Sequence, residues 1–224
     1  MIRPLLGALL LAGCGAGGEE GTASLWITRD RGARVLFQGE VPAGVTVMQA
    51  LRREAEVETG FGGRFVEAID GLEGSQERDW FYFVNGVEAD RGATDYRLRD
   101  GEIAWWDYRR WTGEPEIGVV VGAFPEPFLH GYDGERRPAH VRFEQPSQAG
   151  AARTLGKLIG AATVEPSQEP VPQGGNALLL VGGGKDFRAR LASPRGPYTF
   201  VLAGDPARLA RDPTLARFRF TGLP

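Results

Sequence analysis

DWFYFVNGVEADRGATDYRLRDGEIAWWDY, residues 79–108, is the stretch whose reading decides the fold. Trp80 to Val84 is an aromatic and β-branched run, the composition that suits a pleated, half-buried strand. Asn85-Gly86 directly after it supplies the two positive-φ positions of a tight hairpin turn, so Val87 to Ala89 is expected to pair back. Asp100-Gly101 has the same turn chemistry and precedes a second aromatic run, Ile103 to Tyr108. Side chains alternate along a strand, which puts Trp80 and Tyr82 on one face and Phe81 and Phe83 on the other. Ile103, Trp105 and Asp107 then share one face of the last strand, and Ala104, Trp106 and Tyr108 the other. Which set is core is left open by the sequence.

Outward toward the N-terminus, Leu25 to Thr28, the turn Asp30-Arg31-Gly32 and Val35 to Gln38 read as a hairpin. Thr46 with Gln49 three residues later forms a capping box, and Met48, Leu51 and Ala55 recur on one helical face, so a helix is predicted to run from there to near Glu58. Phe61-Gly62-Gly63 marks a loop and Phe65 to Ile69 a short strand. Hairpin, helix and further strands make an α+β order: a β-grasp-like domain over residues 24–112, with one helix across one face of a mixed sheet. Such a sheet buries one face against its helix. Some of Trp80, Tyr82, Trp106, Tyr108 and Trp111 are therefore expected on an exposed apolar patch of the kind that marks binding surfaces. Trp80, Tyr82, Trp106 and Tyr108, with Asn85 at the rim, are the candidate ligand-binding residues. The competing reading is that the second half of the chain covers this face.

The landmarks from Gly44 to Tyr108 carry a resemblance. Thr46-Val47 with Ala50-Leu51, Ile69-Asp70-Gly71, Trp80 with Asn85-Gly86, Gly92-Ala93 with Tyr96, and Asp100-Gly101-Glu102-Ile103 follow in the order found in the transcobalamin-like C-terminal domain. That small β-grasp-like module is shared by vitamin B12 carriers and bacterial surface lipoproteins. The resemblance covers about a third of the chain and implies a cobalamin-like ligand. It also departs from the carriers, because nothing here resembles the large helical domain that completes their pocket.

At the start of the chain, Arg3 and the apolar run Leu5 to Ala12 lead into Leu11-Ala12-Gly13-Cys14. The run is too short to span a bilayer as a helix and looks like an export signal ending in the lipobox of bacterial lipoproteins. Residues 1–14 are read as that signal and Cys14 as the lipidated residue, whose two or more acyl chains would anchor the protein stably outside the cytoplasm. Residues 15–23, rich in Gly and Glu, are the expected tether.

The second half, 117–224 after the break at Glu114-Pro115-Glu116, reads as a small α/β or α+β domain of unassigned role. Its expected elements are apolar runs at Ile117–Val121, Ala177–Val181 and Tyr198–Ala203, a strand at Val141–Glu144, a helix at Ala151–Ile159 and an edge strand at Phe218–Phe220. Val181-Gly182-Gly183-Gly184-Lys185-Asp186 lacks the spacing of a phosphate loop. His130 and His140 have no diagnostic metal spacing, and no metal or catalytic residue is assigned. Ser147, Ser167 and Ser193 lack a nucleophile-elbow context. A net charge of −3 with 42% hydrophobic residues favours neither nucleic acid nor an acidic surface. The expected function is therefore a non-catalytic, lipid-anchored extracytoplasmic protein that binds a small ligand, without a resident cofactor and with any membrane transporter partner unknown. The alternative is a structural or adhesion lipoprotein for a protein or polysaccharide partner, its aromatic face buried between domains.

Overall fold

A computed structural model describes residues 21–113, 117–182, 188–193 and 196–220. Cys14, most of the tether, the break at 114–116 and the glycine-rich 183–186 lie outside the described residues. The fold is α+β. In chain order the first half runs β1 (Thr22–Arg29), β2 (Arg34–Pro42), α1 (Val47–Glu54), β3 (Val57–Gly60), β4 (Phe65–Ile69), β5 (Leu72–Glu73), β6 (Arg78–Val84), β7 (Val87–Glu88) and β8 (Ile103–Arg110). The second half adds β9 (Ala139–Phe143), α2 (Ala149–Leu158), β10 (Thr163–Pro166), β11 (Asn176–Val181), β12 (Arg188–Ser193), β13 (Thr199–Ala203) and α3 (Pro206–Arg211). Among the described residues no helix is long and apolar enough to cross a membrane.

The first half is a mixed sheet in the order β2-β1-β8-β6-β7, with β1 parallel to β8 and the other neighbours antiparallel. The hairpin at Asn85-Gly86 forms as its chemistry predicts, with φ of 52° and 78° and Val84 opposite Val87. Glycine is needed at the second position twice over, because a Cβ there would also lie 2.8 Å from the Val120 carbonyl oxygen. Asp100-Gly101 is a different kind of turn. It leads into β8 without a preceding partner strand, and β8 pairs with β1 and β6.

Helix α1 begins as expected, the Thr46 hydroxyl and the Gln49 amide forming a reciprocal cap. It ends at Glu54 rather than near Glu58. Ala55 is extended, and Val57 and Thr59, both β-branched, start β3, which pairs with β4. The buried side of α1, Val47, Met48, Ala50 and Leu51, packs on Leu25, Ile27, Val84, Ala104 and Trp106. The small β3-β4-β5 sheet closes one end of this face through Val66 and Ile69.

The opposite face of the first sheet presents Trp26, Phe83 and Trp105. It is covered by Ile117, Val120, Ala123, Phe218 and Phe220, so both faces are buried. Ile117–Val121 was expected as a strand and is instead an extended segment. It joins the sheet edge through Glu88 N–H to the Gly118 carbonyl (3.0 Å) and Val120 N–H to the Gly86 carbonyl (2.7 Å). Phe218–Phe220 likewise forms no edge strand. Its rings stand edge-on to Trp26 and Trp105 at centroid distances of 5.0 Å for both Trp26–Phe218 and Trp105–Phe220.

The second sheet runs β10-β9-β11-β13-β12, parallel except for β12 at its edge. Val141, Leu178, Leu180, Phe200 and Leu202 pack against α2 and α3 through Ala152, Leu155 and Leu209. Continuous apolar stretches such as Ala177–Val181 are the expected signature of such parallel strands.

Candidate functional site

Four of the five candidate ligand-binding residues lie on the α1 side of the first sheet, in the core cluster that the helix shares. Trp80, Trp106 and Tyr108 are buried there and Tyr82 is half-buried, so the exposed patch expected from the sequence is a correction in detail. The rings pair across the strands, Trp80 with Tyr108 at 5.2 Å and Tyr82 with Trp106 at 5.0 Å between centroids, following the register of β6 on β8. Their polar ends are mostly tied to backbone. Trp80 Nε1 donates to the Leu72 carbonyl (2.8 Å), Tyr108 to Glu73 (2.9 Å) and Tyr82 to Arg91 (2.5 Å). Burial pushes the Tyr82 hydroxyl well above the ordinary tyrosine range.

Asn85 is also a correction. It is fully buried rather than at a rim. Its Nδ2 donates to the Gly131 carbonyl (2.9 Å) and its Oδ1 accepts from Ile103 N–H (2.8 Å), so the side chain ties the hairpin to both halves of the chain. Trp111, by contrast, is 48% exposed.

What remains open is a cleft of about 390 Å³ where the outer edge of β6 meets β4 and the segment after β7. It exists because β7 pairs with β6 only at Phe83 and Val84, which leaves the edge from Arg78 to Trp80 without a ladder neighbour. Trp80, Tyr82 and Trp106 line it together with Phe65, Val66 and Phe81, and Arg64, Asp79 and Glu88 supply charge around them. Sequence reasoning missed Phe65 and Phe81. The signal was present in the exposed pair Phe61 and Phe65, whose rings meet edge-on at 6.2 Å beside the cleft.

Two polar features distinguish the walls. The Trp106 indole Nε1 is buried with no hydrogen-bond partner, a donor that ordinarily costs about 1–3 kcal/mol to leave unsatisfied. Asp79, half-buried, accepts at Oδ1 from the Trp80 N–H (2.8 Å), and desolvation raises its carboxyl above the usual range. On the other side of β6, Arg109 lies 4.0 Å from the Phe81 ring centre and 2.8 Å from Glu88. Desolvation lowers its pKa, and Glu88 opposes that effect.

A clamp between the halves flanks this region. Asp133 meets Arg91 at 2.9 Å and Arg99 at 3.0 Å, and its N–H donates to the Tyr96 hydroxyl. Tyr132 donates to Asp90 (2.6 Å). The two histidines make separate contacts: His130 Nδ1 is 2.6 Å from buried Glu126, and His140 Nδ1 is 3.0 Å from Thr163. Among the described residues no three His, Cys, Asp or Glu side chains come together as a metal site.

A family model described as a domain of unknown function, DUF4430, matches residues 44–110, almost the same span as the resemblance read from sequence. No curated protein matches the chain. Among solved structures, a candidate metal-binding protein from Ruminococcus gnavus aligns with 41% of this chain and 99% of its own, at 12% identity and a TM-score of 0.34. Haptocorrin in complex with Cbi aligns with 45% of this chain at 16% identity and a TM-score of 0.34, and the match spans 28% of the haptocorrin chain.

Proposed function

We propose that the protein is a non-catalytic, lipid-anchored extracytoplasmic binding protein whose β-grasp-like half holds a small, largely apolar ligand in the cleft at the β6 edge. The observation that carries this reading is the convergence of Trp80, Tyr82 and Trp106 with Phe65 and Phe81 around one opening. At about 390 Å³ the cleft falls at the small end of ordinary ligand pockets, which are mostly apolar with a few polar groups. It suits a flat, largely apolar ring system. The resemblance read from the sequence implies a cobalamin-like ligand, but a whole corrin with its side arms exceeds this volume and would sit across the mouth.

The structural alternative has its own support in Trp26, Phe83 and Trp105, which glue the two halves together. These are different rings from those at the cleft, so the two roles are separable. The test is titration of cobalamin and a panel of flat apolar molecules against tryptophan fluorescence in the wild type, Tyr82→Ala and Phe65→Ala. Both residues are partly exposed, so the fold should survive. Saturable binding weakened several-fold to tenfold by either change is expected. Absence of binding across the panel, or binding indifferent to both changes, overturns the reading.

A further inference from the structure

The hairpin joining β3 to β4 carries two phenylalanines that the core does not take. Phe61 is 86% exposed and Phe65 44%, whereas Val66 and Ile69, further along β4, are buried. The register sets Gly60 opposite Phe65, so both phenylalanines belong to the tip, and their rings stand edge-on to each other. Phe61 holds a left-handed φ of 51°, followed by Gly62 at 73° and Gly63 at 88°. That region is unfavourable for a bulky aromatic residue, yet it is kept here with the ring turned to solvent. Nothing braces the tip from the side: a Cβ at Gly62 would meet no atom within 4 Å, and one at Gly63 only the Arg52 guanidinium at 4.0 Å.

We propose that this tip inserts into a phospholipid surface, with Phe61 and Phe65 at the boundary between headgroups and acyl chains. Its size argues for lipid over a protein partner. Two phenylalanines bury at most about 300–500 Å² between them, short of the ~800 Å² per partner that a stable protein interface takes. A fluid bilayer needs no matching surface, and attachment to it grows with the apolar area immersed. A phenyl ring also brings no polar end that would need a partner there. On the hairpin, the end of α1 and the link between them, exposed Arg52, Arg53 and Arg64 are offset by exposed Glu54, Glu56, Glu58 and Glu67. The rings, rather than attraction to anionic headgroups, therefore supply the attachment.

Phe65 is common to the tip and to the lining of the β6 cleft. Insertion thus turns that cleft toward the bilayer, from which an apolar ligand can enter without crossing water. Entry from the lipid rests on the cleft being a ligand site; the insertion itself does not.

The chain has one cysteine, so Cys14→Ser removes both the expected acyl anchor and the only native thiol. Phe61→Cys in that background accepts a single, apolar nitroxide label. Leu36→Cys is the control, 48% exposed on β2 at the opposite edge of the first sheet. The purified full chain is mixed with vesicles of phosphatidylcholine, alone or with phosphatidylglycerol. On both vesicles the label at position 61 is expected to gain collisions with oxygen and lose them with a water-soluble nickel complex, while the label at position 36 stays in water. Co-sedimentation with either vesicle should weaken about tenfold in Phe61→Ser. A label at position 61 that stays in water, equal shielding at both positions, or binding confined to phosphatidylglycerol overturns the proposal. So does spin–spin broadening at position 61 without vesicles, which would place a second copy of the chain on the tip. Titration of the soluble chain with flat apolar molecules involves no vesicles, so the cleft reading stands or falls separately.

Discussion

Thr28 Oγ1 donates a 2.5 Å hydrogen bond to Asp107 Oδ1, joining the central strands β1 and β8 beneath the turn that leads into β2. The Trp105 indole N–H donates to the same Thr28 oxygen at 2.8 Å, and the N–H groups of Arg31 and Gly32 donate to Asp107 at 3.1 and 3.0 Å. Asp30 and Arg31 adopt left-handed conformations there, with φ of 57° and 59°, and the carboxylate is what gathers their turn. Asp107→Ala orphans those donors and should cost about 1–3 kcal/mol per buried group left unpaired. Asp107→Asn should cost less, and denaturant melts of the two variants check the order.

The same carboxyl gives a pH signature. Burial raises its pKa above the ordinary 3.8, even though Thr28, Gly32 and Arg31 pull it down. The folded state therefore holds this proton more tightly than the unfolded state. Its contribution is greatest below the unfolded pKa and is lost as pH rises through the folded one. Asp107→Asn should flatten that part of the stability profile, and thermal melts across the acid range measure it.

Asp133 predicts the opposite slope. Its hydrogen bond to Arg99 and then Arg91 hold its carboxyl below the usual range. That contribution is present above the unfolded pKa and lost as pH falls through the lowered one. Acidification should therefore loosen the clamp between the halves, and Asp133→Asn should remove the effect. Limited proteolysis of the two proteins against pH is the readout.

Trp105→Ala should be far more damaging than Tyr82→Ala. Trp105 is fully buried among Trp26, Phe83, Phe218 and Phe220, and its loss should cost about 3–5 kcal/mol. A fragment of residues 24–112 would bare the same rings and should melt below the full chain and bind a hydrophobic dye. Equal melting temperatures would mean that the second half adds nothing to this face.

Anchoring has its own test. Cys14→Ser should release the protein from the membrane into the aqueous phase of a detergent partition. A variant that stays in the detergent phase would count against lipidation.

Much of the first half was legible in the sequence because its signals are local: Asn85-Gly86 sets a turn by itself, and Thr46 with Gln49 sets a helix start. β11 and β13 were readable as apolar runs for the same reason. The covering of Trp105 was not, because Phe220 reaches it across 115 positions of chain and no periodicity reports such a contact. Asn85 misled for a related reason. Its turn role is local, but its burial depends on Gly131, which only the fold brings near. The Tyr82 and Trp106 pairing followed from alternation along the strands, whereas the cleft beside it follows from β7 being only two residues long.

The placement of β1 has a mechanical consequence. It is the first described strand, and it runs between β2 and β8, with eight paired positions on one side and six on the other. If the chain is held at its N-terminus, a pull on Thr22 is directed along β1 and loads both ladders in shear. Bonds loaded in shear share the force and must break together, whereas bonds at a peeled edge fail one at a time. On that condition β1 is the strand set to resist extension, and drag on the rest of the molecule would be borne by the middle of the sheet.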